Sequence, residues 1–183
     1  MTAPERDLDA LLSRLVRDVP DFPEPGVLFK DICPLLADAE GFTAVVAALA
    51  EVGRGVDGAV GVDKVAGVEA RGFILAAPVA LALEVGLVPV RKAGKLPGPT
   101  NPESYALEYG EATLEVQQDA FRPGDRVLVV DDVLATGGTL RATSALVERG
   151  GAQVVAVAVL IELASLSGRE ALGGTRLEAL LTV

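Results

Sequence analysis

A pair of carboxylates followed by a small, hydroxyl-bearing loop is the feature of this chain best suited to chemistry. Asp131 and Asp132 follow the apolar run Val127–Val130, and the loop Ala135-Thr136-Gly137-Gly138-Thr139 begins two residues further on. Glycines let a backbone close around a ligand, and successive N–H groups at a helix N-terminus suit a phosphate. Carboxylates would repel that phosphate, but they fit sugar hydroxyls or Mg²⁺. The residues indicate a phosphorylated sugar with a metal nearby, and a strand ending in two solvated aspartates is the alternative.

These groups need elements that hold them. The run Val127–Val130 predicts a central parallel strand buried on both faces, with a turn at Pro123-Gly124-Asp125 before it. Leu140 to Glu148 predicts a helix that ends at Gly150-Gly151. Strand, loop and helix form half of a βαβ unit, and ligands of open α/β sheets bind outside the carboxyl ends of the strands.

A second strand–loop–helix unit precedes the first. Lys64 to Val68 predicts a short strand, the charged loop Glu69-Ala70-Arg71-Gly72 follows, and Phe73 to Glu84 predicts a helix bent at Pro78. We expect this loop at the same edge of the sheet as the acidic pair. Arg71 could contact phosphate oxygens in a bidentate manner, or it could be an ordinary surface arginine.

The remaining elements are predicted from apolar spacing and turn residues. Leu8 to Val19 and Phe42 to Val52 have the spacing of amphipathic helices. The proline-rich stretch between them, residues 19–26, excludes both helix and central strand. Residues 53–58 match G-x-G-x-x-G but lead from a helix into a strand, so they are a connecting loop and not a dinucleotide site. Further strands are predicted at Leu87–Lys92, Thr113–Gln117, Ala152–Leu163 and Leu177–Val183, the last at an edge.

A long polar segment, residues 93–111, holds three glycines and prolines at 97, 99 and 102. Such a loop in a compact domain is a lid or has no function of its own. Phe29, which follows the earlier proline-rich stretch, is best interpreted from its residue type alone as a core side chain. We see no repeat, linker or second domain, and we interpret residues 1–183 as a single domain.

Composition excludes several classes of function. The net charge of −10 argues against nucleic acid and anionic membranes as partners. The chain has no histidine, which excludes histidine-based triads and histidine metal ligands, and its single Cys33 excludes a disulfide framework. The longest apolar stretches are too short to cross a bilayer, and residues 1–10 lack the features of a signal peptide. We therefore expect a cytoplasmic protein.

The stretch RVLVVDDVLATGGTL, residues 126–140, resembles the 5-phosphoribosyl 1-pyrophosphate (PRPP) signature of type I phosphoribosyltransferases. The resemblance implies a central, mainly parallel sheet flanked by helices, with a small N-terminal hood and a mobile catalytic loop. It implies that Ala135, Thr136, Gly137, Gly138 and Thr139 bind the 5′-phosphate. Asp131 and Asp132 would then face the ribose hydroxyls.

Two other stretches resemble adenine phosphoribosyltransferases. FPEPGVLFKDICPLL is similar to their hood, here about residues 20–36, in which Phe29 would stack on the purine while Leu28 and Lys30 read its edge through their backbones. Lys30 stands where many of these enzymes have arginine. GVEARGF is similar to their pyrophosphate loop, which implies that Ala70 and Arg71 bind pyrophosphate and that a cis peptide precedes Ala70 or Arg71.

The segment RKAGKLPGPTNPESYALEYG resembles the mobile catalytic loop of the same enzymes, here about residues 93–111. The resemblance implies that Glu108 meets N7 of adenine and that Tyr109 shields the reaction from water. Arg91, Lys92 and Lys95 would approach the pyrophosphate. LIELASLSGREAL is similar to the family's C-terminal segment, which would bring Leu163 near Arg71 and the base; Leu163 as a plain core residue is the equal alternative.

The resemblance covers nearly the whole chain and implies transfer of a phosphoribosyl group from PRPP to adenine, which gives AMP and pyrophosphate. Arg71, Glu108, Tyr109 and Asp131 would be the catalytic residues. Mg²⁺ would be the cofactor, held mainly through PRPP and water with no direct protein ligand, and the protein would be a homodimer that shares loop residues. A PRPP-binding regulator and a hypoxanthine, guanine or xanthine enzyme are the alternatives.

Overall fold

The computed structural model describes residues 3–106 and 111–183 of the 183-residue chain. The chain divides into two compact units, Met1–Ala47 and Ala48–Val183. None of the helices in the described ranges is long and apolar enough to span a bilayer.

The first unit contains two helices, the start of a third and a two-stranded hairpin. In chain order its elements are α1 (Ala3–Leu15), β1 (Arg17–Pro20), β2 (Leu28–Asp31), α2 (Cys33–Ala37) and α3 (Ala39–Val52), which continues into the second unit. The predicted first helix is too long: it ends at Leu15, and Arg17–Pro20 pairs antiparallel with Leu28–Asp31. Proline at the end of β1 is compatible with this pairing because β1 lies at an edge of the hairpin. Leu12, Ile32, Leu35 and Val45 fill the interior of this unit.

The second unit is a seven-stranded sheet with the strand order β5-β6-β4-β3-β7-β8-β9. Its strands are β3 (Lys64–Val68), β4 (Gly86–Lys92), β5 (Thr100–Ala106), β6 (Glu111–Gln117), β7 (Arg126–Leu134), β8 (Gln153–Glu162) and β9 (Leu177–Thr182). The pairs β3–β4, β3–β7, β7–β8 and β8–β9 are parallel, and the β5–β6 hairpin joins β4 in antiparallel fashion. The sheet is therefore mainly parallel, as predicted.

Two helices cover the two faces of this sheet. α4 (Arg71–Ala82) packs on β3 and β7, where Gly67 lets Ala76 approach the strand closely. α5 (Gly138–Arg149) packs on β7 and β8 on the other face, where Val127 and Val129 share a buried cluster with Leu140 and Leu146. Because successive strand residues face opposite sides, a strand covered on both faces must be apolar at every position. This explains the continuous run Val127–Val130.

Strand β7 lies at the point where the strand order reverses. β3 leads to β4 on one side, and β7 leads through α5 to β8 on the other. In doubly wound sheets this switch point opens a crevice at the carboxyl ends of the strands. The loops after β3 and β7 both start there, and these are the two loops that the sequence marked for chemistry.

Candidate active site at the carboxyl end of the sheet

Asp131 and Asp132 belong to strand β7 instead of following it. β7 continues to Leu134 because β8 still pairs with it, through Asp131↔Val159 and Val133↔Ile161. On its other side the pairing with β3 ends at Gly67↔Val130. The prediction that the strand ends at Val130 was therefore wrong. The carboxylates lie beyond the last residue that pairs with β3, while β8 holds their backbone in place.

Both carboxylates are buried, each residue being only 7% exposed. The backbone N–H of Asp132 donates to Asp131 Oδ1 at 2.8 Å, and the guanidinium of Arg71 donates from Nε to Asp132 Oδ2. Burial and the neighbouring charge of Asp132 raise the pKa of Asp131 well above its usual value. The pair therefore consists of an Asp132 that contacts Arg71 and an Asp131 that holds a proton more readily than an exposed aspartate does.

Gly72 explains how the two carboxylates come so close to α4. A Cβ at this position would lie 2.7 Å from Asp131 Oδ1 and 3.1 Å from the carbonyl oxygen of Val130. Only a glycine leaves room for the first turn of α4 against this part of β7. Arg71, the preceding residue, is thereby brought within reach of Asp132.

A cavity of about 320 Å³, here called the strand-end cavity, opens in front of the acidic pair. The cavity is lined by the loops after β3 and β7, by the acidic pair, and by one residue each from β4, β5 and β6. The lining residues are Glu69, Ala70, Arg71, Lys92, Tyr105, Leu114, Asp131, Asp132 and Thr139. Acidic and basic groups thus face the same space. A site with this lining can hold a ligand that carries both hydroxyl groups and anionic groups.

The loop 135–139 encloses a smaller space, here called the loop hollow, of about 60 Å³ and lined by residues 133–140. Thr136 is exposed and Thr139 half-buried, so neither side chain is packed away inside the protein. Gly137 adopts a left-handed conformation, φ +83°, and precedes the first turn of α5. The hollow therefore combines backbone N–H groups, hydroxyl groups and a helix N-terminus, a combination that suits a phosphate.

The segment after β8 supports the loop from behind. A Cβ at Gly137 would lie 2.5 Å from the carbonyl oxygen of Gly168, and a Cβ at Gly168 would collide with the carbonyl oxygen of Ala135. Arg169 anchors this segment through two hydrogen bonds of 2.7 Å to the buried carboxylate of Glu162. Sequence reasoning missed this support, because nothing in the residue types shows that two glycines 31 positions apart interlock.

The loop after β3 carries the cis peptide that the family resemblance implied, between Glu69 and Ala70. Glu69 was not singled out from the sequence, yet its carboxylate is the centre of a cationic cluster. Oε1 accepts from Lys95 Nζ at 2.5 Å, and Oε2 accepts from the backbone N–H of Lys92 at 2.9 Å and from Arg91 Nε at 3.3 Å.

Partial burial of the Glu69 carboxyl opposes ionisation, but the hydrogen bonds from Lys95 and Lys92 outweigh it and lower its pKa to about 2. The group is therefore an anion at neutral pH. Besides Arg71, three cations were expected at the pyrophosphate. Lys92 lines the strand-end cavity, whereas Arg91 and Lys95 are bound to Glu69.

The residues expected around a purine lie in both units. Leu28, Phe29 and Lys30 form most of β2 in the first unit, where Phe29 makes an edge-to-face contact with Phe22 at 5.0 Å between ring centroids. Lys30 Nζ donates a hydrogen bond to Asp18 Oδ1 at 2.7 Å across the hairpin, so the lysine side chain is ion-paired with a residue of β1. Leu163 lies in the second unit, half-buried at the end of β8, and its N–H donates to the carbonyl of Leu134 at 2.9 Å.

The segment 93–111 is more regular than expected. Residues Thr100–Ala106 form strand β5 at the edge of the sheet, and the prediction of an irregular loop there was wrong. Prolines do not exclude an edge strand, because an edge strand needs only half of its backbone groups for pairing. Glu108 and Tyr109 lie outside the described residues.

A second cavity of about 320 Å³ lies at the opposite, amino-terminal end of β3 and β4. Its one cation, Lys64, already binds the carbonyl oxygen of Ala120 at 2.6 Å and the carboxylate of Asp125 at 3.1 Å. The described lining of this cavity therefore offers no free positive charge to an anionic ligand, and we assign the chemistry to the other edge.

The fold and this edge of the sheet match a known family. Residues 36–172 match the model of the phosphoribosyl transferase domain, so the chain belongs to the phosphoribosyl transferase family. An adenine phosphoribosyltransferase from Nocardioides sp. is 70% identical over 169 residues, which cover 92% of this chain and 91% of the relative.

Solved structures agree with the sequence comparison. The crystal structure of adenine phosphoribosyltransferase from Rhodothermus marinus is 49% identical, with a TM-score of 0.89 over 97% of this chain and 99% of the other. The enzyme of the same name from Saccharomyces cerevisiae, complexed with an imino-altritol bisphosphate and adenine, is 36% identical, with a TM-score of 0.91 over 96% and 99%. The predicted type I phosphoribosyltransferase fold is thereby confirmed.

Proposed function

We propose that this protein is an adenine phosphoribosyltransferase of purine salvage, which converts adenine and PRPP into AMP and pyrophosphate. The observation that carries the proposal is the meeting, at one sheet edge, of the loop hollow, the buried acidic pair and Arg71. The relatives and solved structures that share nearly the full length of this chain support adenine as the base.

The 5′-phosphate of PRPP binds in the loop hollow. Ala135, Thr136, Gly137, Gly138 and Thr139 supply backbone N–H groups and two hydroxyls, and the N-terminus of α5 supplies a partial positive charge. No lysine or arginine lines this hollow within the described part of the chain. Recognition of the phosphate therefore depends on the shape of the main chain, and the interlocked Gly137 and Gly168 keep that shape.

The ribose lies against Asp131 and Asp132, whose oxygens accept from its hydroxyl groups. Displacement of pyrophosphate from C1 builds positive charge on the sugar ring, as in glycoside cleavage. The carboxylate of Asp132 lowers the energy of that cation from a buried position, where electrostatic interactions are weakly screened. Positive charge on the sugar ring also favours the ionised form of Asp131 over its protonated form.

The pyrophosphate lies beside Ala70, Arg71 and Lys92, which line the cavity next to the acidic pair. Arg91 and Lys95 add their charges from the cluster around Glu69. Because Arg71 contacts Asp132, one side chain lies between the leaving group and the carboxylate that steadies the ribose. The arginine can thereby keep both groups in line with C1.

Adenine stacks on Phe29, and the backbone of Leu28 and Lys30 reads its edge. The pairing of Lys30 Nζ with Asp18 supports a backbone role for this residue, because its side chain is already occupied. Lysine in place of the family's arginine then matters little. In the second unit, we assign Leu163 and Arg71 to adenine, as the family resemblance implies.

Adenine attacks C1 through N9 and loses its imidazole proton. We assign Glu108 as the carboxylate that meets N7 and assists this loss, and Tyr109 as the group that keeps water from the reacting centre. Closure of the loop that carries them would precede the chemical step.

Mg²⁺ fits this site as an ion carried by the substrate. No group of three or more acidic, cysteine or histidine side chains able to hold a metal occurs in residues 3–106 and 111–183. The two aspartates are hard oxygen donors, but one of them is already bound to Arg71. Bound to the pyrophosphate oxygens and to water, the ion would neutralise the leaving group.

The outer side of α4 supports a homodimer. Ile74 and Leu81 lie two turns apart on the same side of the helix and are 45% and 79% exposed. Exposed apolar side chains in register on a helix mark a surface that a partner covers, and we propose a second copy of this chain. Leu81→Glu should give a monomer in light scattering, with Glu51→Gln as a surface control; a dimer that persists in Leu81→Glu would exclude this face.

We place the reaction in the cytoplasm, because its phosphorylated substrate does not cross membranes.

The test of function is a competition assay with purified protein, PRPP, Mg²⁺ and equal amounts of labelled adenine, hypoxanthine, guanine and xanthine. AMP should be the dominant product. IMP, GMP or XMP as the main product would identify a different base, and PRPP binding without any nucleotide would identify a regulator.

A further inference from the structure

We propose that Tyr105 is a further ligand-binding residue of this site, which acts together with Thr139 on the phosphate of the phosphoribosyl group. This inference deepens the proposed function and rests on it. The hydroxyl of Thr139 lies 3.1 Å from the phenol oxygen of Tyr105. Both side chains line the strand-end cavity, and Thr139 also lines the loop hollow. The hydroxyl pair therefore lies on the border between the two spaces.

Counting protons shows what the pair offers to a ligand. Two hydroxyl groups carry two protons, and the bond between them uses one. Thr139 Oγ1 donates that bond to the phenol oxygen, so the phenol of Tyr105 keeps a proton that it can donate elsewhere. Tyr105 has no other side-chain hydrogen bond within the described ranges. The pair thus presents one O–H donor to the cavity, and an anionic phosphate oxygen is the acceptor that such a donor binds most strongly.

The phenol is held in position by its surroundings. Tyr105 is 8% exposed and belongs to the buried cluster that includes Leu114 and Leu140. Strand β5 is fixed to α5 by Arg149, which donates to the carboxylate of Glu103 and to the carbonyl of Pro102. A donor that is fixed before the ligand arrives loses little conformational entropy on binding, so most of the hydrogen-bond energy is available for affinity.

The chain provides a matched control in the adjacent residue. Ser104 forms a hydroxyl pair with Thr113 at 2.8 Å, also between neighbouring elements, but Ser104 is exposed and does not line the cavity. Because successive residues of a strand face opposite sides, removing this hydroxyl leaves the cavity unchanged.

The experiment measures dissociation constants by calorimetry for ribose 5-phosphate and for pyrophosphate. Tyr105→Phe should weaken ribose 5-phosphate about five- to tenfold, the loss of one hydrogen bond to a charged acceptor, and leave pyrophosphate unchanged. Ser104→Ala should leave both constants unchanged. Equal affinity of Tyr105→Phe and the unaltered protein for ribose 5-phosphate would overturn the proposal, as would equal losses for both ligands. Failure of the unaltered protein to bind ribose 5-phosphate would instead remove the phosphate site itself.

A double-mutant cycle distinguishes a direct effect on binding from a folding defect in strand β5. Thr139→Val removes the same hydroxyl pair from the α5 side, without a change in β5. If Thr139 holds the phenol towards the ligand, Tyr105→Phe should weaken ribose 5-phosphate less in the Thr139→Val background than in the unaltered protein. Losses that simply add would show that the hydroxyls act independently and would overturn the proposal.

Discussion

Replacing Gly72 by alanine tests the geometry of the acidic pair without touching any functional group. A methyl group at this position would lie 2.7 Å from Asp131 Oδ1, which is 0.7 Å less than the 3.4 Å at which ordinary van der Waals contact begins. The other near atoms, the carbonyl oxygen of Val130 and the Cα of Asp131, belong to the backbone of the central strand and cannot rotate away. We therefore expect the carboxylate of Asp131 to move by about 0.7 Å away from α4.

Two opposing terms set the effect on stability. Alanine is favoured over glycine inside a helix by about 1 kcal/mol, whereas forcing an extra methyl group into a packed site costs about 1–3 kcal/mol. The net loss in the free energy of unfolding should be about 0–2 kcal/mol, which leaves the protein folded. Catalysis is more sensitive, because misplacing a group by 1 Å can cost about a hundredfold, so kcat/KM for PRPP should fall by about ten- to a hundredfold.

The assay is steady-state AMP formation together with chemical denaturation. Gly86→Ala is the control, since a Cβ at Gly86 meets no atom within 4 Å. It should leave kcat/KM unchanged. If Gly72→Ala keeps the kcat/KM of the unaltered enzyme while remaining folded, then the position of Asp131 is not critical and our account of the acidic pair is wrong.

Three further predictions concern the carboxylates. Asp131→Asn combined with Asp132→Asn should reduce kcat by about a hundredfold or more without unfolding the protein, because both residues are held in a paired strand; near-normal turnover would remove them from the mechanism. Glu108→Gln should lower kcat far more than it weakens PRPP binding, and an equal loss in both would indicate a ground-state role. The pKa of Glu69 lies near 2 in the folded protein and near 4.5 in the unfolded chain, so its ionisation stabilises the fold above pH 4.5, and this stabilisation is lost as the pH falls towards 2. Glu69→Gln should therefore cost about 1 kcal/mol at neutral pH and progressively less under acid in unfolding experiments, whereas a pH-independent cost would show that the carboxylate is not ionised.

The central strands and the helices that follow them could be predicted from sequence, because a short, continuous apolar run bounded by turn residues is typical of a buried parallel strand. The run Val127–Val130 must be covered on both faces, and Lys64–Val68 with its following helix repeats the same arrangement. The place where β7 ends could not be predicted. It depends on how far β8 continues beside it, and a sequence pattern contains no information about the length of the neighbouring strand.

The parts of the site that sequence reasoning missed depend on contacts between distant residues. Tyr105 lies on strand β5, which was predicted as a loop because three prolines lie in or near it. Its hydrogen-bond partner, Thr139, is 34 residues away in the sequence. Glu69 was visible in the charged loop, but its role as the anion that holds Lys95 becomes apparent only when β4 is placed beside β3. Residue types therefore indicated the chemistry, whereas the supporting contacts required coordinates.

The central claim is that the main chain of residues 135–139 binds the 5′-phosphate while Asp131 and Asp132 bind the ribose. A crystal structure of the protein with ribose 5-phosphate tests it most directly. We predict density for the phosphate in the loop hollow, within hydrogen-bond distance of the loop N–H groups, with ribose hydroxyls on the two carboxylates. Phosphate density at Arg71 and Lys92 instead, with the loop hollow holding only water, would contradict the account.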